Sequence, residues 1–68
     1  MDEEVLNTSV RKYLKKLGVT AQREIEKAVG DGLASGRLKG SEKLPAKAVI
    51  TLGGVDLKFE IDGDIELA

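Results

Sequence analysis

The hydrophobic positions of the chain follow two different periods, one in each half of the sequence. From residue 3 to residue 17, apolar residues recur at intervals of three and four, as on one side of a helix. This first stripe consists of Leu6, Val10, Tyr13, Leu14 and Leu17. Asp2 is a good N-cap, and Glu3 and Glu4 suit the positive end of a helix dipole. The pattern predicts a first helix over residues 3–17.

The sequence LGVT, residues 17–20, indicates a break before a second helix. Gly18 can adopt the left-handed conformation just past a helix end, and Thr20 is a good N-cap. The second helix is predicted to reach at least Val29, and its apolar stripe consists of Ala21, Ile25, Ala28, Val29 and Leu33. Gly30 and Gly32 weaken its last turns. The glycines and charges of residues 36–44 predict a connector.

The second half of the chain alternates apolar and polar residues, which predicts β-strands. Residues 46–52 and 55–61 form two such runs, and Gly53-Gly54 between them suits a two-residue hairpin turn. The alternation continues into the ending DGDIELA. That ending has three alternatives: an extension of the second strand, a turn at Asp62-Gly63 into a short third strand, or a frayed end.

The order helix, helix, strand, strand predicts a single small α+β domain over residues 1–68. A lone two-stranded hairpin is marginal in water, so we expect a two-helix hairpin packed on one face of an antiparallel β-hairpin. The expected core is Leu6, Val10, Leu14, Leu17, Ile25, Val29, Leu33, Ile50, Leu52, Leu57, Phe59 and Ile61. A homodimer joined through the second strand is left open, although the charges of that strand disfavour edge pairing.

The amino-acid composition argues against disulfides, most metal sites, secretion and membrane insertion. The 68 residues include no Cys and no His, so a disulfide is excluded and most zinc and transition-metal sites lose their preferred ligands. A small core must then depend on helix packing or on a partner subunit. The N-terminal sequence MDEEVLNTS has no signal-peptide features, and no apolar run approaches a membrane span. We therefore expect a cytoplasmic protein with no membrane association.

Charge is balanced overall but unevenly distributed. Eleven basic and twelve acidic residues give a net charge of -1, yet residues 37–47 carry four basic groups and one acidic group. The side of the first helix away from its apolar stripe is also basic. A candidate interaction face therefore comprises Arg11, Lys12, Lys15, Lys16, Arg37 and Lys39. The helix dipole alone accounts for basic residues near a helix C-terminus, and no exposed aromatic residue accompanies them to stack on bases, so a solvated face is favoured over nucleic-acid binding.

The stretch LGVT also resembles the opening of a recognition helix in a helix-turn-helix protein. Such sequences usually place a buried residue four positions after the Ser or Thr, but position 24 here is Glu and Ile25 follows one residue later. The second helix would also present more acidic than basic groups to phosphates. A third helix is absent. DNA reading by the second helix is therefore disfavoured.

No set of residues predicts catalysis. Without His or Cys, acid-base chemistry would depend on carboxylates, Lys or Tyr13, and no motif assembles them. Asp62, Asp64 and Glu66 resemble part of a calcium loop, but the Gly is second rather than sixth and the twelfth-position Glu is missing. We expect a protein that is not an enzyme and holds no cofactor or metal.

Four segments of the chain resemble an uncharacterised family of short proteobacterial proteins, a domain of unknown function: SVRKYLKKLGVTAQREIEKAV, GRLKG, LPAKA and DGDIEL. The resemblance spans nearly the whole chain and implies a bacterial, cytoplasmic, single-domain protein. It carries no activity, so no site residue transfers from it. The small core, the absence of catalytic motifs and the opposite charges of helix and hairpin predict a protein-interaction or adaptor module with an unknown protein partner. Nucleic-acid binding by the basic face is the alternative.

Overall fold

A computed structural model describes residues 1–68 and contains one helix and two strands. Helix α1 spans Glu3–Ala34, strand β1 spans Lys43–Leu52, and strand β2 spans Leu57–Glu66. The chain divides into two compact units, residues 1–37 and residues 38–68. The structure is α+β, but the predicted two-helix hairpin is wrong, because one long helix stands where two short helices were expected.

The predicted break after Leu17 is helical in the structure. Gly18 is not among the glycines with positive φ, which are Gly36, Gly40 and Gly54. A glycine inside a helix costs about 1 kcal/mol relative to Ala. A helix end, in contrast, leaves up to four C=O groups before it and four N–H groups after it in need of new partners. The glycine penalty is the smaller cost, so the helix continues through residues 18–20.

The apolar residues of α1 also repeat without interruption across Gly18. They recur every eleven residues, which is three helical turns, so residues eleven apart lie on the same side of the helix. One series is Leu6, Leu17 and Ala28, a second is Val10, Ala21 and Gly32, and a third is Leu14 and Ile25. The stripe predicted for the first helix therefore continues through Ala21, Ile25 and Ala28 of the predicted second helix. Val29 and Leu33, which were also assigned to the second stripe, fit none of the three series.

The two ends of α1 have specific caps. Asp2 Oδ1 accepts hydrogen bonds from the backbone N–H groups of Glu4 at 2.9 Å and Val5 at 3.2 Å, which confirms the predicted N-cap. At the other end, the N–H of Ser35 donates to the carbonyl oxygen of Asp31 at 3.0 Å. Gly36 follows with φ 80, a left-handed conformation that Gly adopts at little cost. The glycine that ends the helix is thus Gly36, not Gly18.

The strands β1 and β2 pair antiparallel from Lys43 opposite Glu66 to Leu52 opposite Leu57. Residues directly opposite each other share a face of the sheet. One face therefore carries Leu44, Ala46, Ala48, Ile50, Leu52, Leu57, Phe59, Ile61 and Ile65. All of these except Leu44 belong to the predicted alternation, whose other two apolar residues, Val55 and Leu67, lie outside the strands. The other face is largely charged, and two exposed ion pairs cross it, Lys43 to Asp64 at 3.8 Å and Lys47 to Glu60 at 3.4 Å.

The hairpin differs from the predicted one in its loop and its length. Four residues, Gly53–Asp56, join the strands instead of two, and only Gly54 of the two glycines has positive φ. A register shift of two residues leaves every side chain on the same face, so alternation could not distinguish the two loops. Of the three alternatives for the chain ending, strand extension is confirmed, because β2 continues to Glu66. Strand β1 begins earlier than predicted and includes Pro45, which the open edge of a two-stranded sheet tolerates.

No residue of the chain is buried, so the predicted core is wrong. Of its twelve residues, Leu17, Val29 and Ile50 are half-buried and the other nine are exposed. The expected core required a second helix folding back beside the first. Because α1 continues past Gly18 instead, its apolar side has no neighbouring helix in the chain.

Candidate functional site

The apolar stripe of α1 is the first candidate surface. It consists of Leu6, Val10, Tyr13, Leu14, Leu17, Ala21, Ile25, Ala28 and Gly32. From Leu6 to Gly32 it extends about 39 Å along the helix, at about 1.5 Å per residue. Its large side chains remain open to solvent, with exposed fractions of 52% for Leu14 and 54% for Tyr13. A contiguous apolar surface of this kind marks an interaction site more often than a scatter of single exposed residues does.

The apolar face of the hairpin is the second candidate surface. Its centre is the pair formed by Ile50 and Phe59, which lie directly opposite each other on β1 and β2. Phe59 is 41% exposed and Ile61 is 59% exposed. Sequence reasoning identified these residues but assigned them to a core. The number of strands indicated that these residues would remain exposed to solvent, because a two-stranded sheet has no further strand or sheet to pack on its apolar face.

Four of the six residues of the predicted interaction face lie together on α1. Arg11, Lys12, Lys15 and Lys16 occupy the side of the helix away from the apolar stripe, all are exposed, and none forms a salt bridge. Arg37 lies beyond the end of α1, with about 27 Å of helix between Lys16 and Ala34. Lys39 belongs to the second unit. Within the first unit, the structure therefore brings together the four helical residues of the predicted face and sets Arg37 apart from them.

A loop around Glu42 is a feature that sequence reasoning missed. The carboxylate of Glu42 accepts hydrogen bonds from the backbone N–H groups of Lys39 and Gly40, each at 2.8 Å, and of Ser41 at 3.1 Å. The N–H of Lys39 is the largest cause of a lowered pKa for Glu42, those of Gly40 and Ser41 add to it, and partial desolvation opposes it. Gly40 has φ 102, which lets consecutive N–H groups turn towards the carboxylate. This arrangement orders the connector just before β1.

The remaining polar groups form no recognisable reaction centre. Asp62, Asp64 and Glu66 alternate along the charged face of β2, where Asp62 lies opposite Lys47, and no group of three side chains is placed to hold a metal ion. A shallow groove runs beside the first turns of α1 and is lined by Asp2, Glu4, Val5, Thr8, Ser9 and Lys12. All of these residues come from one helix end, so they surround no enclosed space.

The sequence profile of a family of unknown function, DUF6494, matches residues 1–68. The chain belongs to DUF6494. This confirms the resemblance noted in the sequence, while a proteobacterial origin stays a prediction. Membership in DUF6494 brings no assigned activity and no site residue to the chain. Comparison with curated proteins and with solved structures found no match.

The DUF6494 chain was also predicted to be cytoplasmic and without membrane association. No helix of the structure is both long enough and apolar enough to cross a membrane. The cytoplasmic location stays a prediction.

Proposed function

We propose that the chain is a non-catalytic protein-interaction module that binds its partner through the apolar stripe of α1. One observation carries the proposal: an ordered helix of 32 residues has no buried residue along an apolar stripe that runs nearly its whole length. Most of the stability of a protein helix comes from packing its apolar side against something else. A helix with this pattern therefore requires a cover, and a partner protein supplies one.

The ionisable groups support a role without catalysis. A general acid must hold its proton near neutral pH, and a general base must be free to take one. Glu42 has a lowered pKa, so it is ionised at neutral pH, and its oxygens are occupied by backbone N–H groups. The chain has no Cys or His to serve as an alternative nucleophile or base. An interaction role needs none of these groups.

Paired substitutions on the two sides of α1 test the proposal. Leu14→Glu places a charge in the apolar stripe, whereas Val19→Glu makes a comparable change at an exposed apolar residue on the opposite side. The immobilised chain would be used to capture proteins from lysate and also a tagged copy of itself. We expect the wild type and Val19→Glu to retain the same proteins and Leu14→Glu to lose them. Circular dichroism checks that both variants stay helical.

The proposal fails if retention does not depend on the stripe. Equal capture by wild type and Leu14→Glu, or no retained protein of any kind including the chain itself, would each contradict it. A specific loss with Val19→Glu would place the binding surface on the other side of α1 and would also contradict it.

Nucleic-acid binding is a second candidate because of the four unpaired basic residues on α1. Arg11, Lys12, Lys15 and Lys16 fall within two helical turns with no acidic residue among them. Phosphate contacts by such residues give binding that weakens steeply with salt. Retention on heparin or RNA near physiological salt, reduced by Lys12→Gln but not by Lys27→Gln, supports this candidate. Flow-through of the wild type rules it out.

A further inference from the structure

We infer that the partner of the apolar stripe is a second copy of this chain, with two α1 helices packed antiparallel through their stripes about a two-fold axis at the level of residue 19 along the helix. This inference rests on the proposed interaction function and names the partner. It predicts that residues whose numbers add to about 38 lie beside each other across the interface. Leu17 of one copy then packs beside Ala21 of the other.

Side-chain size along the stripe favours this arrangement. The first half of the stripe is built from large residues and the second half mainly from small ones: Leu6, Val10, Leu14 and Leu17 against Ala21, Ala28 and Gly32, with Ile25 as the exception. An antiparallel pair sets Leu6 beside Gly32, Val10 beside Ala28 and Leu17 beside Ala21, so these three large residues each meet a small one. Tyr13 and Leu14 instead meet Ile25. A well-filled interface alternates large and small residues across facing positions in this way. In a parallel pair, large side chains would meet large ones at one end of the interface and small ones would meet small ones at the other. The interface would then be overpacked at the first end and poorly filled at the second.

Charge along α1 favours the same orientation. Residues 11–16 carry four basic groups and no acidic group. The antiparallel pair sets them beside residues 22–27, which contain the acidic residues Glu24 and Glu26 as well as two basic residues. Lys16 and Glu24 lie on the same border of the stripe. In an antiparallel pair with two-fold symmetry, each border of the stripe faces the same border of the other helix. Lys16 of each copy therefore faces Glu24 of the other.

A parallel pair would bring like charges together. In that orientation, a residue on one border of the stripe faces a residue on the opposite border of the other helix, about five positions further along the sequence. The flanking positions of parallel coiled coils pair in the same way. Arg11 would then face Lys16 of the other copy, and Glu26 would face Asp31. The charges thus oppose the parallel pair and support the antiparallel one.

Sedimentation equilibrium of the purified chain and three charge variants tests the inference. The wild type should have twice the 7.3 kDa chain mass and dissociate on dilution. Lys16→Glu and Glu24→Lys each turn two attractive contacts of the dimer into repulsive ones, so each should weaken dimerisation by roughly 3- to 30-fold. The double variant Lys16→Glu/Glu24→Lys restores both contacts with the signs exchanged and should recover most of the loss. Lys12→Glu, on the far side of α1, is the matched control and should change little.

Two outcomes of that experiment would overturn the inference. One is a strict monomer at every concentration. The other is stronger association of Lys16→Glu, which a parallel pair predicts because the change removes the repulsion from Arg11. Since both exchanged residues are exposed, the variants keep the residues of the stripe and are expected to fold.

Spin labels give the orientation directly. The chain has no Cys, so Thr8→Cys and Thr20→Cys each provide a single labelling site. In the antiparallel pair the two Thr8 labels are separated by about 33 Å along the helix axis, and the two Thr20 labels by only about 3 Å, at about 1.5 Å per residue. A parallel pair makes both axial separations near zero. Equal distances at the two sites would therefore contradict the inference.

The inference and the proposed function fail separately. If the chain is a monomer but still captures another protein through Leu14, the second-copy partner is wrong and the interaction function stands. If the chain is a monomer and captures nothing through the stripe, both are wrong.

Discussion

Ala21 lies one helical turn after Leu17 on the same side of α1, and Gly18 between them has helical geometry. This relationship joins the two apolar segments of the first half of the chain into one surface. A break at Gly18 would instead have turned the second segment back against the first and hidden both. The unbroken helix is therefore the reason that no second helix covers the apolar stripe.

Gly18→Ala should stabilise the chain. In a continuous helix, Ala is favoured over Gly by about 1 kcal/mol, and a methyl group at residue 18 would meet nothing within 4 Å beyond the neighbouring residues and backbone of the helix itself. In a helix-turn-helix, the same change would be destabilising, because the left-handed conformation required there is unfavourable for Ala. The sign of the change in midpoint temperature, measured by circular dichroism at fixed protein concentration, separates the two structures.

Two other glycines serve as controls for that substitution. Gly30 is also inside α1 with open space around it, so Gly30→Ala should be stabilising by a similar amount. Gly36 has φ 80, so Gly36→Ala should cost about 1 to 2 kcal/mol. A Gly18→Ala variant that behaves like Gly36→Ala would show that residue 18 ends a helix.

Much of the local structure could be predicted from the sequence, and the break at Gly18 could not be judged from local signals alone. Gly18 and Thr20 fit a helix end and a helix start individually, and each preference is worth only about 1 kcal/mol. The decisive signal extends over a longer stretch of sequence. Leu6, Leu17 and Ala28 are spaced by eleven residues, so they lie on the same side of one continuous helix on both sides of Gly18. Two helices joined by a turn have no reason to keep their apolar residues in one such repeat.

Asp2→Ala should reduce helicity at the start of α1. The substitution removes the acceptor for the N–H groups of Glu4 and Val5 and should cost about 1 kcal/mol. Asp2→Asn keeps a capping oxygen and should behave nearly like wild type. Amide exchange of residues 4 and 5 measures the effect, and equal protection in Asp2→Ala and wild type would contradict the role of the cap.

The loop around Glu42 should lose order at low pH. Because the pKa of Glu42 is lowered in the folded state, the unfolded state binds more protons as the pH falls. The stabilising contribution is therefore complete above the ordinary glutamate pKa and is lost as the pH falls through the lower folded value. In an NMR titration, the Glu42 carboxyl carbon and the amides of Lys39, Gly40 and Ser41 should share one midpoint below the ordinary value.

Glu42→Gln is the control for that titration. It keeps the shape of the side chain but removes the charge, so the three amides should lose the shared transition. A midpoint for Glu42 at or above the ordinary glutamate value would show that the backbone N–H groups do not hold the carboxylate.

The hairpin register predicts which cross-strand pair is energetically coupled. Ile50 lies opposite Phe59, so a double-mutant cycle with Ile50→Ala and Phe59→Ala should give a coupling of roughly 0.2 to 1 kcal/mol. The two-residue turn expected from Gly53-Gly54 would instead place Ile50 opposite Leu57. A larger coupling for Ile50 with Leu57 than with Phe59 would contradict the observed register.

The candidate surfaces were only partly accessible to sequence reasoning. Alternation identified every apolar residue on the apolar face of the hairpin except Leu44, which was assigned to the connector, and helical periodicity identified every large residue of the stripe. Their exposure could not be read from periodicity, because an apolar face looks the same whether the chain or a partner covers it. The Glu42 loop was missed because its hydrogen bonds depend on the backbone conformation of Gly40 rather than on a residue pattern.

Helix α1 is one unbroken helix whose apolar stripe continues past Gly18. Backbone NMR measures this continuity, through the ¹³Cα shifts of residues 16–22 and the exchange protection of their amides. Helical shifts throughout, with the amides of Val19, Thr20 and Ala21 protected like those on either side, are the predicted result. An interruption of helical shifts at Gly18, with rapid exchange at residues 19–21, would contradict the claim.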